Sequence, residues 1–263
     1  MELGRIGGPR RAAMRYILVV LLSLLSVMQA VAAQNQLTVS DGSSTDDVLR
    51  TFQERTLVQV PGKGGAKALV RWETPVRIGF VIDQSAEIDV FSTIANDLVN
   101  IRQATGHDIS VSTRANFVIL MTSDLSRALQ QYGAQIIAPF FSDGTDYHAF
   151  FAQAQSERWA CAGKTLLSDK PAIAAYLLVV INSPEHQSLE TDGCVLRGLI
   201  NGMGAAGHAT ATQPTTYKLR QSDSRFSELD REVLKLLYDP RIKSGMGTGE
   251  ATETVKSILG LKH

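Results

Sequence analysis

The stretch Gly202-Met203-Gly204-Ala205-Ala206-Gly207 carries, by letter, the glycine spacing of a dinucleotide-binding turn. That spacing works where a strand leads in and a helix leaves, because the pyrophosphate then meets the free N–H groups of a helix start. Here a helical pattern leads in, and Ala209 to Thr216, which contains Pro214, leads out. No nucleotide site is expected from it. Gly62-Lys63-Gly64-Gly65 lacks the spacing of a phosphate loop and reads as a flexible turn. The five histidines, His107, His148, His186, His208 and His263, are scattered, and no two stand four apart as zinc ligands on one helix face would. No serine has glycines at the two-residue offsets of a nucleophile elbow. A triad gathered from distant residues stays open. Neither a metal nor a cofactor is therefore expected.

The elements that would position any site begin after an export signal. Arg10, Arg11 and Arg15 precede an apolar run from Tyr16 to Leu22 that continues, with two serines, to Met28, and Ala30-Val31-Ala32-Ala33 supplies small residues for cleavage. Residues 1–33 read as a signal peptide, with the mature end at Ala33 or Gln34 and the product periplasmic or secreted. A start at Met14, a twin-arginine signal at Arg10-Arg11 and a retained anchor are the alternatives. The apolar core is shorter than the about 20 residues a span needs, and no later segment is long and apolar enough, so no membrane span is expected after cleavage.

About 230 residues then remain, enough for one large or two small domains with a core. Hydrophobic residues make up 44%, and 26 basic side chains balance 26 acidic ones, so there is no electrostatic case for a nucleic-acid partner. The two cysteines, Cys161 and Cys194, both fall in the exported part, where a disulfide between them would persist. Two buried free thiols are the alternative.

Residues 34–70 read as a polar, mobile lead-in with one short helix over 46–55. Residues 71–263 read as a single α+β domain. Val76, Ile78, Phe80 and Ile82 alternate as in a strand, and Phe91, Ile94, Ala95, Leu98 and Ile101 share a helix face that Gly106 closes. Phe117 to Met121 is a buried strand, Ser123 caps a short helix with Leu125 and Leu129, and Gln135 to Phe141 is a further strand. A polar stretch through Trp159 and Cys161 leads to the apolar run Ala174 to Ile181. Helical spacing returns at Cys194, Leu196, Leu199, Ile200 and Met203. Ser227 and Asp230 form a capping box for a helix that Pro240 stops, and a last helix runs from Glu250 to Gly260.

The stretch Tyr238-Asp239-Pro240-Arg241-Ile242-Lys243-Ser244-Gly245-Met246, with Leu229-Asp230 before it and Arg71-Trp72 ahead of the first strand, carries a specific resemblance. Over residues 46–259 the chain resembles an uncharacterised bacterial family of exported proteins, numbered twenty-nine twenty-seven among the domains of unknown function. That family's order of elements in turn resembles the metzincin zinc proteases, in which two His and a Glu on a helix, and a third His after a glycine turn, hold zinc and activate its water. With Gly204 set on the turn, the resemblance puts Arg197 and Asn201 at the helical His positions, Gly198 at the Glu and Gly207 at the third His. His208 falls one residue late. The fold so implied is α+β, a single mixed sheet with packed helices in a degenerate metzincin-like arrangement.

Three functions fit. The leading one is an exported, non-catalytic pseudoenzyme that binds a protein or envelope component. A hydrolase with an unrecognised site, and a structural or assembly accessory, are the others. The candidate cleft is Arg197, Asn201, His208, Asp239 and Arg241. Tyr238, Pro240, Gly245 and Met246 form a structural clasp, with Met246 folded back under the core. The partner is not identified by the residues, and the zinc-protease groups are absent from their positions.

Overall fold

The computed structural model describes residues 44–60, 66–83, 90–142, 144, 146–156, 158–168, 170–182, 188–206 and 225–261. Ser44 starts the first helix, α1 (Thr45–Thr56), through a capping box with Asp47, and Val48, Thr51, Phe52 and Thr56 fall on its buried face. A short antiparallel ribbon follows, β1 (Leu57–Gln59) against β2 (Lys67–Leu69). Phe52 and Leu69 are fully buried and Leu57 and Val58 nearly so. Within the stretch read as a lead-in, residues 45–60 and 66–69 thus form packed elements. Only the 46–55 helix was legible there, because a three-residue strand is too short to show alternation.

The main sheet begins with β3 (Val76–Ile82). Helix α2 (Val90–Thr105) follows and ends at Gly106, whose φ of 61° is left-handed and whose N–H donates to Arg102 O at 2.9 Å. Strands β4 (Ile109–Val111) and β5 (Phe117–Thr122) come next, then α3 (Leu125–Tyr132). Asp124, not Ser123, caps α3, its side chain accepting from Arg127 N–H. Gln135 to Phe141 is no strand. A π-helical turn (Gly133–Ile137) passes into a 3₁₀ turn (Ala138–Phe141) with a proline in its first turn. Ile137, Phe140 and Phe141 pack with Phe150, Phe151 and Trp159, so the apolar run covers the sheet instead of joining it.

The stretch read as polar holds α4 (Tyr147–Ser156) and the edge strand β6 (Cys161–Leu167). Strand β7 (Ile173–Ile181) precedes α5 (Ser188–Gly202), and α6 (Glu228–Leu237) and α7 (Thr248–Leu259) complete the chain's described part. The five strands run in the order β4-β3-β5-β7-β6, all parallel except β6, which is antiparallel to β7. The class is α+β with one mixed five-stranded sheet, and the β1-β2 ribbon is separate from it.

Candidate functional site

Helix α5 carries two of the candidate residues, Arg197 and Asn201, and glycines set its distance from the sheet. A Cβ on Gly198 would stand 2.5 Å from Leu178 Cδ1, and one on Gly202 would stand 2.7 Å from both Phe117 Cζ and Tyr176 Cδ1. Neither position has room for a side chain. The Cys161–Cys194 disulfide, with Cα atoms 5.9 Å apart, ties β6 to the middle of α5. In the chain-entropy description such a loop contributes about 3.5–4 kcal/mol. At the other end Gly204 turns the chain with a φ of 100°. Trp72 Nε1–H donates to Gly202 O at 2.6 Å and Tyr238 Oη–H to Met203 O at 3.0 Å, so two side chains distant in sequence satisfy the last carbonyls of α5.

The opposite face of α5 carries charge into a cluster with α1, α2 and α6. Asp230 is 1% exposed. It accepts from Arg197 Nη1 at 2.9 Å, pairs with Arg55, and takes the Ser227 N–H and Oγ–H at 3.1 and 2.8 Å. Burial opposes its ionisation, but Arg197, Arg55 and the Ser227 hydrogen bonds prevail and hold the carboxyl below the ordinary range. Asp97 on α2 is 8% exposed. Burial, then the charges of Asp192 and Asp230, push its carboxyl up to about 7.

Among the described residues of the candidate cleft, Arg197 stands apart from the Asp239–Arg241 pair. Arg197 is held by Asp230 at the start of α6, whereas Asp239 and Arg241 follow the other end of that helix, about 13 Å along its axis. Asp239 and Arg241 pair with each other through Nε···Oδ1 and Nη2···Oδ2 contacts of 2.9 and 2.8 Å. The Arg241 hydrogen bonds hold the Asp239 carboxyl below its ordinary range. Asn201 is buried on α5, one turn beyond Arg197. His208 lies outside the described residues.

The Tyr238 to Met246 stretch is bound to the start of the domain. Burial pushes the Tyr238 phenol up, and the Arg71 guanidinium stacks 5.5 Å from its ring centre. Arg71 Nη1 also donates to Leu237 O at 2.8 Å and to Asp239 O at 3.3 Å, holding the chain as it leaves α6 toward the exposed Pro240. Gly245, with a φ of 87°, donates its N–H to Leu69 O, and the Leu69 N–H returns to Met246 O, so the chain adds itself to β2. Met246, expected under the core, is half-buried. The pairing of its own carbonyl and of the Gly245 N–H with Leu69 keeps it at the ribbon edge, where Sδ accepts from Lys243 N–H at 3.4 Å. Ile242 is the fully buried side chain of this stretch.

Sequence reading missed Asp97 and the pairing role of Asp230, although a signal was there. Asp97 sits on the stripe Ile94, Asp97, Leu98, Ile101, and Asp230 on Asp230, Val233, Leu234, Leu237. A carboxylate at an apolar position of a 3.6-residue repeat must be buried, and so must be paired or protonated.

Among the described residues no group of three or more His, Cys, Asp or Glu is placed to hold a metal ion, and no helix is long and apolar enough to cross a membrane. The fold and cluster define an α+β domain whose central helix is pinned by a disulfide and charged on its far face. The chain belongs to the family described as Protein of unknown function (DUF2927), whose model matches residues 46–257. No curated protein and no solved structure matches it.

Proposed function

We propose that this protein is an exported, non-catalytic member of its family that binds a protein or envelope component. The observation that carries this reading is the Arg197–Asp230 ion pair, in a position that the metzincin resemblance gives to a zinc ligand. A guanidinium stays protonated and cannot ligate a metal, and this one is already bonded to a buried carboxylate. At the general base's position, Gly198 is closed to any side chain by Leu178. An antiparallel edge strand, a helix and then a glycine turn at Gly204 support reading the fold as a degenerate relative of that architecture. The disulfide supports an oxidising compartment outside the cytosol.

One observation favours a hydrolase. Asp97 and Asp230 are carboxylates pushed in opposite directions, as in acid–base pairs. Both are buried among helices, however, and Asp230 is already committed to two arginines and a cap. The experiment is a turnover assay of the purified protein on peptide and ester substrates, with and without chelator, beside crosslinking in intact envelopes. The expected result is no turnover and a discrete envelope adduct. Turnover abolished by Asp97→Asn would overturn the non-catalytic reading.

A further inference from the structure

We propose that Met246 is a site of oxidation by small electrophilic oxidants of the peroxide class, and that the turn carrying it keeps its shape when the sulfur takes up an oxygen. This goes beyond the binding reading and does not depend on it. Such oxidants take a lone pair from sulfur, so reactivity follows which sulfur atoms they can reach. Both cysteines are spent in the disulfide. Of the three methionines among the described residues, Met121 lies in β5 and Met203 just past the end of α5, 0% and 1% exposed. Met246 is half-buried, and its Sδ meets the Lys243 N–H at the exposed surface. Among the described residues it is therefore the sulfur open to solvent.

The bonds around the sulfur decide what oxidation does. Met246 N–H donates to Lys243 O at 3.3 Å and Lys243 N–H donates to Sδ at 3.4 Å, so one backbone and one side-chain bond close residues 243–246. In the reaction an S–O bond forms and the peroxide O–O bond breaks. Sulfur loses two electrons, one oxygen stays as the sulfoxide, and the other leaves as water with both peroxide protons. A thioether is a weak acceptor and the sulfoxide is polar, so the Lys243 N–H exchanges a poor partner for a better one. The pairing of Gly245 N–H with Leu69 O, and of Leu69 N–H with Met246 O, uses backbone groups alone and stays in place. At Met121 or Met203 the same oxygen would be driven into packed apolar surroundings. Met246 thus takes the oxidant where the change is tolerated.

The test is a timed exposure of the purified protein to hydrogen peroxide at neutral pH, read by peptide mass mapping, thermal melting and backbone amide NMR. The expected result is one oxygen on Met246, gained about tenfold or more faster than on Met121 or Met203, which react only through opening of the fold. The singly oxidised protein should melt cooperatively within about 5 °C of the parent, and its Lys243 amide should shift while the Leu69 amide stays. Met246→Leu, treated alike, should gain no oxygen while folded. Comparable oxidation of the three methionines, a Met246 that gains no oxygen, unfolding on the first addition, or an unchanged Lys243 amide would overturn the proposal.

Discussion

Replacing Asp97 with Asn should stabilise the protein at alkaline pH and leave it nearly unchanged in acid. The native carboxyl titrates at about 7, against an ordinary value of 3.8. Between those values the folded chain holds a proton that the unfolded chain has lost, so stability falls as pH rises through the window and is level above it. A shift of about three units corresponds to about 4 kcal/mol at most, and relaxation of the neighbouring Asp192 and Asp230 trims the observable part to about 2–4 kcal/mol. Asn keeps the shape and carries no charge. Urea unfolding at pH 4.5, 6 and 8, from the lower part of the window to above it, reads the effect, and thermal melting at pH 8 should show a midpoint gain of about 5–10 °C. Asp230 does not interfere, because its contribution is complete above 3.8 and is lost only as pH falls through its lowered folded value. Refutation would be an Asp97→Asn protein less stable than the parent at pH 8. The ionised carboxylate would then be holding something together.

The remaining expectations concern packing and pairing. Gly202→Ala drives a methyl into the Phe117 and Tyr176 rings and should lower stability by about 1–3 kcal/mol; an unchanged melting temperature would mean that α5 can lift from the sheet. Asp230→Ala leaves Arg197 and Arg55 without their carboxylate and removes the side-chain half of the α6 capping box, a loss of about 3 kcal/mol by urea unfolding. Ile242→Asp should prevent the Tyr238 to Met246 stretch from docking, whereas Met246→Asp should cost about 1 kcal/mol or less; the reverse ranking, by thermal melting, would put the clasp's anchor at the wrong residue.

Local signals account for what the sequence revealed. Nine residues of β7 form one apolar run, Ser227 and Asp230 make a capping box within four positions, and Gly106 marks a helix end directly. Strand β6 was illegible because Gly163 and Lys164 break its apolar pattern for reasons set elsewhere. A Cβ at Gly163 would lie 2.1 Å from Tyr176 Oη, and Lys164 is buried with its ammonium 5.3 Å from the Phe141 ring centre. The run at 135–141 is apolar enough for a strand, yet its partners Phe150, Phe151 and Trp159 lie on a later helix and its following turn. The charge cluster was out of reach for the same reason, since Arg55 meets Asp230 across 175 residues and Arg197 meets it across 33. No spacing rule links such positions, although two carboxylates on apolar stripes announced that something buried must answer them.

The central claim is that α5 is a structural helix whose Arg197 is spent on Asp230. Metal analysis of protein purified from the cell envelope without chelator tests it most directly. The predicted result is no stoichiometric zinc, in the parent and in Arg197→Ala alike. Zinc at one equivalent per chain, removed by chelator and lost on Asn201→Ala, would contradict it.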